Sequence, residues 1–367
     1  MTESIIYGRN FHEAPPPSEV VIKAGLFKEL PERLVALAEG RSIVIVTEKN
    51  LAGRYGVLLY EGLASRLSKI PKVIVVPSGE GSKNVRTWEQ VSNQLAKQGH
   101  QRKTLLVALG GGMVGDLTGF VASTYKRGIS FVQVPTTLLA QVDSSIGGKT
   151  GIDSEHGKNL FGRFELPEAT FIDPELLATL PQKDFVSGLG EVVKYGALDN
   201  EILKSAEAHM DNLLLRNAES LADIIGRCVT LKAKVVDMDP KDRAIRQSLN
   251  FGHTIGHGLE EASDFALAHG EAVAIGMRYE GEIAVKRGAF KQEDMDRLNA
   301  LIARAGLPTS VPKDIDLEKA LSLMKNDKKN VGAGIKIAIP SKFGALFEKG
   351  HTLLDSSEQD IRETIGR

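Results

Sequence analysis

The chain has 367 residues, more than one average domain needs, so two domains are expected. Hydrophobic residues at 42% and charged residues at 25% are ordinary globular values, and a net charge of −1 argues against nucleic acid or an anionic membrane as partner. One cysteine, Cys228, excludes an internal disulfide framework, and neither a signal-like start nor an apolar run of about 18 residues is found, so a cytoplasmic protein is expected.

Apolar, β-rich runs at 20–23, 43–47, 73–76, 105–109 and 131–134 read as buried strands, and helical spacing at 31–39 and 87–97 lies between them. Such alternation predicts an α/β layer on a mostly parallel sheet. Gly110-Gly111-Gly112-Met113-Val114-Gly115-Asp116 follows about the fourth of these runs and opens a helical pattern. Glycines there let the backbone approach a pyrophosphate, and the helix start offers free N–H groups. The usual dinucleotide fingerprint follows the first strand, so the position points to a related but different doubly wound domain. Glu48 and Glu80 sit just past earlier strands, where a carboxylate can bind a ribose diol. Residues 135–150 then pack hydroxyls, Asp143, Gly147-Gly148 and Lys149 into one stretch, and Gly157-Lys158-Asn159 follows. Glycine beside lysine lets backbone and ammonium meet an oxyanion together.

Near residue 175 the texture changes. Helical periodicity dominates to about 325, as at 201–215 and 221–236, and Pro308 and Pro312 mark a turn. The expected organisation is an α/β nucleotide-binding domain over 1–174 and an all-α metal-binding domain over 175–367, with a cleft between them as the default site. Cys228 reads as a small buried hydrophobe. His253 and His257 are four apart and share a helix face. His269 follows, so three of eight histidines fall within seventeen residues, and Glu191 lies upstream in Gly190-Glu191-Val192. Two imidazoles and a carboxylate make a common catalytic zinc set with one open position. The spacing alone makes ligands of both His253 and His257. The glutamate that a zinc peptidase carries beside its first histidine is missing.

Taken together, the motifs resemble those of the 3-dehydroquinate synthases over essentially the whole chain. The resemblance rests on 110–116, 135–149, 157–159, Glu191 with Lys194-Tyr195-Gly196, 246–257, His269-Gly270-Glu271 and Asp327-Lys328-Lys329. It implies a dehydroquinate synthase-like fold, with Glu191, His253 and His269 binding Zn2+ or Co2+ and His257 moving protons instead of ligating. It assigns the substrate to Lys149, Asn159, Lys194, Lys232, Arg246, Asn250, Lys328 and, from the neighbour in a homodimer, Arg127. It assigns NAD to Glu80, Lys83, Gly111, Gly112, Asp116, Thr136, Thr137 and Asp143, with Glu48, Lys149 and Lys158 alongside. Glu48 stands where the family more often has Asp or Asn, Glu165-Leu166-Pro167 replaces a more usual His-Gln-Pro, and Gly190 stands where alanine is commoner.

The implied reaction converts 3-deoxy-D-arabino-heptulosonate 7-phosphate to 3-dehydroquinate and phosphate. It runs through transient oxidation by NAD, phosphate loss, re-reduction and an intramolecular aldol closure. Three other readings compete. A sister cyclase would act on sedoheptulose 7-phosphate or glucose 6-phosphate, but Arg246 and Asn250 suit a carboxylate those sugars lack. A glycerol-dehydrogenase-like oxidoreductase needs fewer anion-binding lysines. A non-enzymatic scaffold leaves the glycine turn and the Lys149 loop without purpose.

Overall fold

The computed structural model describes residues 3–7, 18–325 and 335–366. Lys328 lies outside the described residues. Two compact units result. One runs up to Leu180 and takes in Lys232–Lys241, and the other holds Pro181–Leu231 and the chain from Asp242 onward.

The first unit contains β1 (Glu3–Tyr7), β2 (Ser18–Ile22), β3 (Ser42–Glu48), β4 (Lys72–Val76), β5 (Thr104–Gly110), β6 (Ser130–Pro135), β7 (Lys149–Ser154), β8 (Gly157–Phe164) and β9 (Ala169–Ile172). Its helices are α1 (Leu26–Ala38), α2 (Lys49–Leu51), α3 (Val57–Ala64), α4 (Val85–Lys97) and α5 (Gly112–Thr124). Seven strands form one sheet in the order β1-β2-β9-β6-β5-β3-β4, parallel throughout except for the β1–β2 pair. Both faces are covered. Ile43, Ile45, Leu105, Val107 and Leu109 pack with Leu30, Leu34 and Leu59 of α1 and α3 on one side. Val44, Val46, Leu106 and Ala108 pack with Val91, Val114 and Leu117 of α4 and α5 on the other. A strand buried on both faces reads as a continuous apolar run, which is why these segments were legible in the sequence.

β4 and β5 lie on opposite sides of β3, so the strand order reverses there. Such a reversal opens a crevice at the carboxyl ends of the strands. The expected α/β layer is present, and the glycine turn follows β5, one strand later than the apolar runs count. β7 and β8 form a separate antiparallel hairpin with a register shift between Ile152 and Ser154. Every residue of β8 is exposed, which explains why its sequence reads as a loop.

The second unit is helical, as expected: α6 (Gln182–Leu198), α7 (Asn200–Leu214), α8 (Ala218–Met238), α9 (His253–Ala262), α10 (His269–Lys286), α11 (Gln292–Arg304), α12 (Leu317–Lys325), α13 (Leu346–Lys349) and α14 (Glu358–Ile365). The last turns of α8 belong to the first unit. α6 is buried from Ser187 to Leu198, so it is a central helix with no polar face to read. An antiparallel pair, β10 (Ile335–Pro340) and β11 (His351–Ser356), adds a small ribbon that helical periodicity does not reveal. Ile335 and Ile337 join Ile255, Leu259, Ile275, Ile283, Leu321 and Met324 in one core. No described helix is long and apolar enough to cross a membrane.

Candidate active site

In the first unit the expected nucleotide residues gather at the carboxyl ends of adjacent strands. Glu48 ends β3, Glu80 follows β4, Gly111 and Gly112 follow β5, and Thr136 and Thr137 follow β6. Gly111 caps α5, which places that helix's free N–H groups beside the strand ends. Side chains are excluded there: a Cβ on Gly111 would lie 3.0 Å from Thr137 Cγ2, and one on Gly112 would lie 2.9 Å from Ser144 Oγ. Asp143 sits in a π-helical turn, Ala140–Ser144. Such turns often mark functional positions.

The cations are already arranged. Lys83, buried, ion-pairs with Glu80 at 2.6 Å and Asp116 at 3.2 Å. Burial works against its charge, but the two carboxylates prevail and hold its pKa well above the usual lysine range. Burial raises the Asp116 carboxyl to about 6; Glu80 adds to this, and Lys83 and Lys232 pull the other way. One ammonium thus serves two carboxylates. Lys232 donates to the Asp143 carbonyl at 2.7 Å and pairs with its carboxylate at 2.8 Å. Lys149, Lys158 and Asn159 are exposed on the hairpin, and Asn159 is held at φ 52 with its N–H on Asp153 Oδ1 at 2.7 Å. Arg127 is exposed at φ 70, between Lys126 at φ 53 and Gly128 at φ 117.

In the second unit three helices deliver Glu191, His253 and His269, and each of these residues adjoins a glycine at a backbone contact. A Cβ on Gly190 would lie 2.5 Å from the Gly270 carbonyl, and one on Gly270 only 1.7 Å from the Ser187 carbonyl. These contacts bring α6 against the start of α10. Likewise a Cβ on Gly276 would lie 1.9 Å from the Gly252 carbonyl, so α9 rests on α10 just before His253. Glu271 accepts from the Ala268 N–H at 2.8 Å and fixes the first turn of α10.

Glu191 is fully buried, and its Oε1 lies 3.4 Å from Nε2 of both His253 and His269. A tetrahedral ion with bonds of about 2.0–2.1 Å separates its ligand atoms by about 3.4 Å. The tautomers fit as well. His253 Nδ1 faces the Phe251 carbonyl at 3.1 Å, which can only accept, so Nδ1 carries a proton and Nε2 is the nitrogen turned toward Glu191. His269 Nδ1 faces Glu260 Oε2 at 3.1 Å and Nε2 faces Glu191 Oε1, so its two ring nitrogens point to two carboxylates. Burial works against a charge on His269, but its hydrogen bonds to Glu191 and Glu260 prevail and raise its pKa to about 10. His257 completes a three-histidine cluster whose ligand atoms all lie within 4.8 Å of one another, and it is the exposed member. Glu191, His253 and His269 therefore fit one divalent ion, with His257 beside them on the exposed side.

Lys194, one turn after Glu191 and almost fully buried, ion-pairs with it. Arg246 is 1% exposed, and Asn250 Nδ2 donates to the Gln247 carbonyl at 3.1 Å. Neither Glu260 nor Ser187 stands out in the sequence. Glu260 stands three residues after His257, a spacing that puts it on the same helix side, but its partner His269 comes from another helix. Ser187 Oγ accepts the Gly270 N–H at 3.0 Å.

The 3-dehydroquinate synthase N-terminal domain matches residues 73–187, and the C-terminal domain of the same family matches 188–330. A 3-dehydroquinate synthase of Nostoc punctiforme is 39% identical over 94% of each chain. Among solved structures, 2-epi-5-epi-valiolone synthase from Streptomyces hygroscopicus, with NAD+ and Zn2+ bound, superposes with a TM-score of 0.83 at 25% identity over 95% of each chain. A 2-deoxy-scyllo-inosose synthase complexed with carbaglucose-6-phosphate, NAD+ and Co2+ gives a TM-score of 0.84 at 22% identity over 100% of this chain and 99% of that one.

Proposed function

The chain belongs to the 3-dehydroquinate synthase family, and from that premise we propose that it converts 3-deoxy-D-arabino-heptulosonate 7-phosphate to 3-dehydroquinate and phosphate, with NAD and a zinc or cobalt ion. The observation that carries this reading is the convergence of Glu191, His253 and His269 at 3.4 Å spacing beside Lys194 and the exposed His257. Glu191, His253 and His269 would hold the ion, which would supply Lewis-acid activation of a substrate hydroxyl, and the nucleotide site would hold NAD, which would supply reversible hydride chemistry.

The protein's own groups then have distinct tasks. Glu80, Lys83, Gly111, Gly112, Asp116, Thr136, Thr137 and Asp143 hold the nucleotide, with Glu48 on a ribose. The guanidinium of Arg246 presents a planar fork to the substrate carboxylate, and Asn250 supports it. Lys149, Lys194, Lys232 and Lys328 meet the phosphate and the developing oxyanions as point charges, Asn159 donates a neutral hydrogen bond, and Lys158 lies with the nucleotide. His257, exposed at the open side of the cluster, gives and takes protons. Holding one substrate through several steps supplies much of the rate by orientation.

His257→Ala is expected to keep one metal ion per chain while kcat falls about 10²–10⁴-fold. Metal analysis beside steady-state kinetics separates this role from ligation. Loss of the ion would move His257 into the ligand set.

We place the enzyme in the cytoplasm as a homodimer in which Arg127 reaches the neighbour's substrate. Its exposed, left-handed backbone position supports this, because such strain persists where function requires it. Inactive Arg127→Ala and His253→Ala proteins, mixed and allowed to exchange subunits, are expected to recover about a quarter of the wild-type rate, since each mixed dimer holds one complete site. No recovery despite proven exchange would put Arg127 in its own chain's site.

The activity test supplies the heptulosonate phosphate with catalytic NAD. Phosphate release without net NADH is expected. Release only from sedoheptulose 7-phosphate would overturn the substrate, and steady NADH accumulation would make the enzyme a dehydrogenase.

A further inference from the structure

We propose that Glu280 is a positioning residue for the metal site, holding His253 in place through the backbone on both sides of it. This inference rests on the metal assignment above, and on none of the steps of the reaction.

Helix α9 starts without a side-chain cap. Its N-cap is Gly252, at φ 81, which has no side chain to offer. The first N–H groups of a helix have no partner within it, so they need acceptors from elsewhere. Glu280, about three turns into α10 and fully buried, supplies both oxygens. Its Oε2 accepts from the Gly252 N–H at 2.6 Å, and its Oε1 accepts from the Ile255 N–H at 2.9 Å. In an ordinary capping box two side chains of the same helix share this work, one on the N-cap N–H and one on the third helical N–H. Here one carboxylate from another helix does both.

The placement is selective. Gly252 immediately precedes His253, and Ile255 follows it by two residues, so the imidazole's point of attachment lies between the two anchored amides. Packing does not require a carboxylate at this position, since a buried charge costs stability that an apolar side chain of similar size avoids. What the carboxylate adds is direction: two charge-assisted bonds fix the backbone where an apolar contact would let it slide. Metal ligands must be held to within about 0.5 Å for full affinity. The same anchor bears on His257, one turn further along α9.

Glu280→Gln keeps the shape and leaves one accepting oxygen, while its NH2 group faces a backbone N–H, donor against donor. The variant is expected to fold, to bind Co2+ about 10–100-fold more weakly, and to show shifted visible absorption bands of the bound ion. At saturating Co2+, kcat for phosphate release is expected to fall more than KM rises. Unchanged Co2+ affinity and an unchanged cobalt spectrum in a folded Glu280→Gln protein would overturn the proposal, whatever the melting temperature. Hydrogen exchange on the wild-type apoprotein provides a second test that needs no variant. The Gly252 and Ile255 amides should be protected before any metal is added, and exchange at free-loop rates would equally refute the anchor. Because the cobalt and exchange readouts do not depend on turnover, a wild type that binds cobalt but releases no phosphate would sink the cyclase reading and leave Glu280 standing.

Discussion

Replacement of Glu191 by glutamine is expected to strip the protein of its metal and to lower turnover at least about a thousandfold. The amide fills the same space on α6, so the fold is retained. The site, however, loses its only negative ligand between two imidazoles that face it at 3.4 Å. The replacement also removes the carboxylate that pairs with the buried Lys194 ammonium, at a place where a dication must enter. The metal supplies several kcal/mol of charge stabilisation in such reactions, and about 4 kcal/mol corresponds to the stated factor. Glu191→Ala is expected to be worse, because it breaks the same buried ion pair, worth about 3–5 kcal/mol of stability, and leaves a cavity as well. Metal content after gel filtration, with activity measured across added zinc, checks this. A Glu191→Gln protein with one tightly held ion and wild-type turnover would remove Glu191 from the ligand set.

Gly270→Ala is expected to destabilise the protein by at least about 3 kcal/mol, more than most core substitutions. The added Cβ meets the Ser187 carbonyl at 1.7 Å, and both atoms are fixed by helix backbone. Relief requires moving α10 away from α6, which separates His269 from Glu191. Gly53→Ala serves as the control, since a Cβ there meets nothing within 4 Å, and it is expected to be neutral or slightly stabilising. Chemical unfolding of the two variants provides the comparison. Equal stabilities would mean that the α6–α10 contact yields more easily than its geometry indicates.

Much of the first unit was legible because β3, β5 and β6 are buried along almost their whole lengths and carry dense apolar runs, and little else in a chain looks like that. The strands that escaped notice had weaker signals. β8 is exposed throughout, and β10 is short enough that Ile335, Ile337 and Ile339 pass for part of a helix. The metal cluster was visible through residue type and the short interval between its histidines. Its geometry was not. Spacing pairs His253 with His257, and the fold adds His269 to that pair and sets the Nε2 atoms of His253 and His269 against the same oxygen of Glu191. The supporting carboxylates were invisible for a simple reason. Glu260 and Glu280 act across helix contacts, and a linear sequence carries no sign of which glutamate will face inward.

The glycine contacts also have a consequence for the gene. Every amino-acid change that one base substitution can make in a glycine codon introduces a β-carbon, so codons 270 and 276 have no mild neighbours in mutational space. A saturating screen for growth would therefore score these two glycines as severely as Glu191 and His253, although neither glycine offers a side chain to any ligand. The two classes part in the soluble fraction of a lysate. Ligand variants accumulate there as inert protein, and glycine variants are lost before they can be assayed.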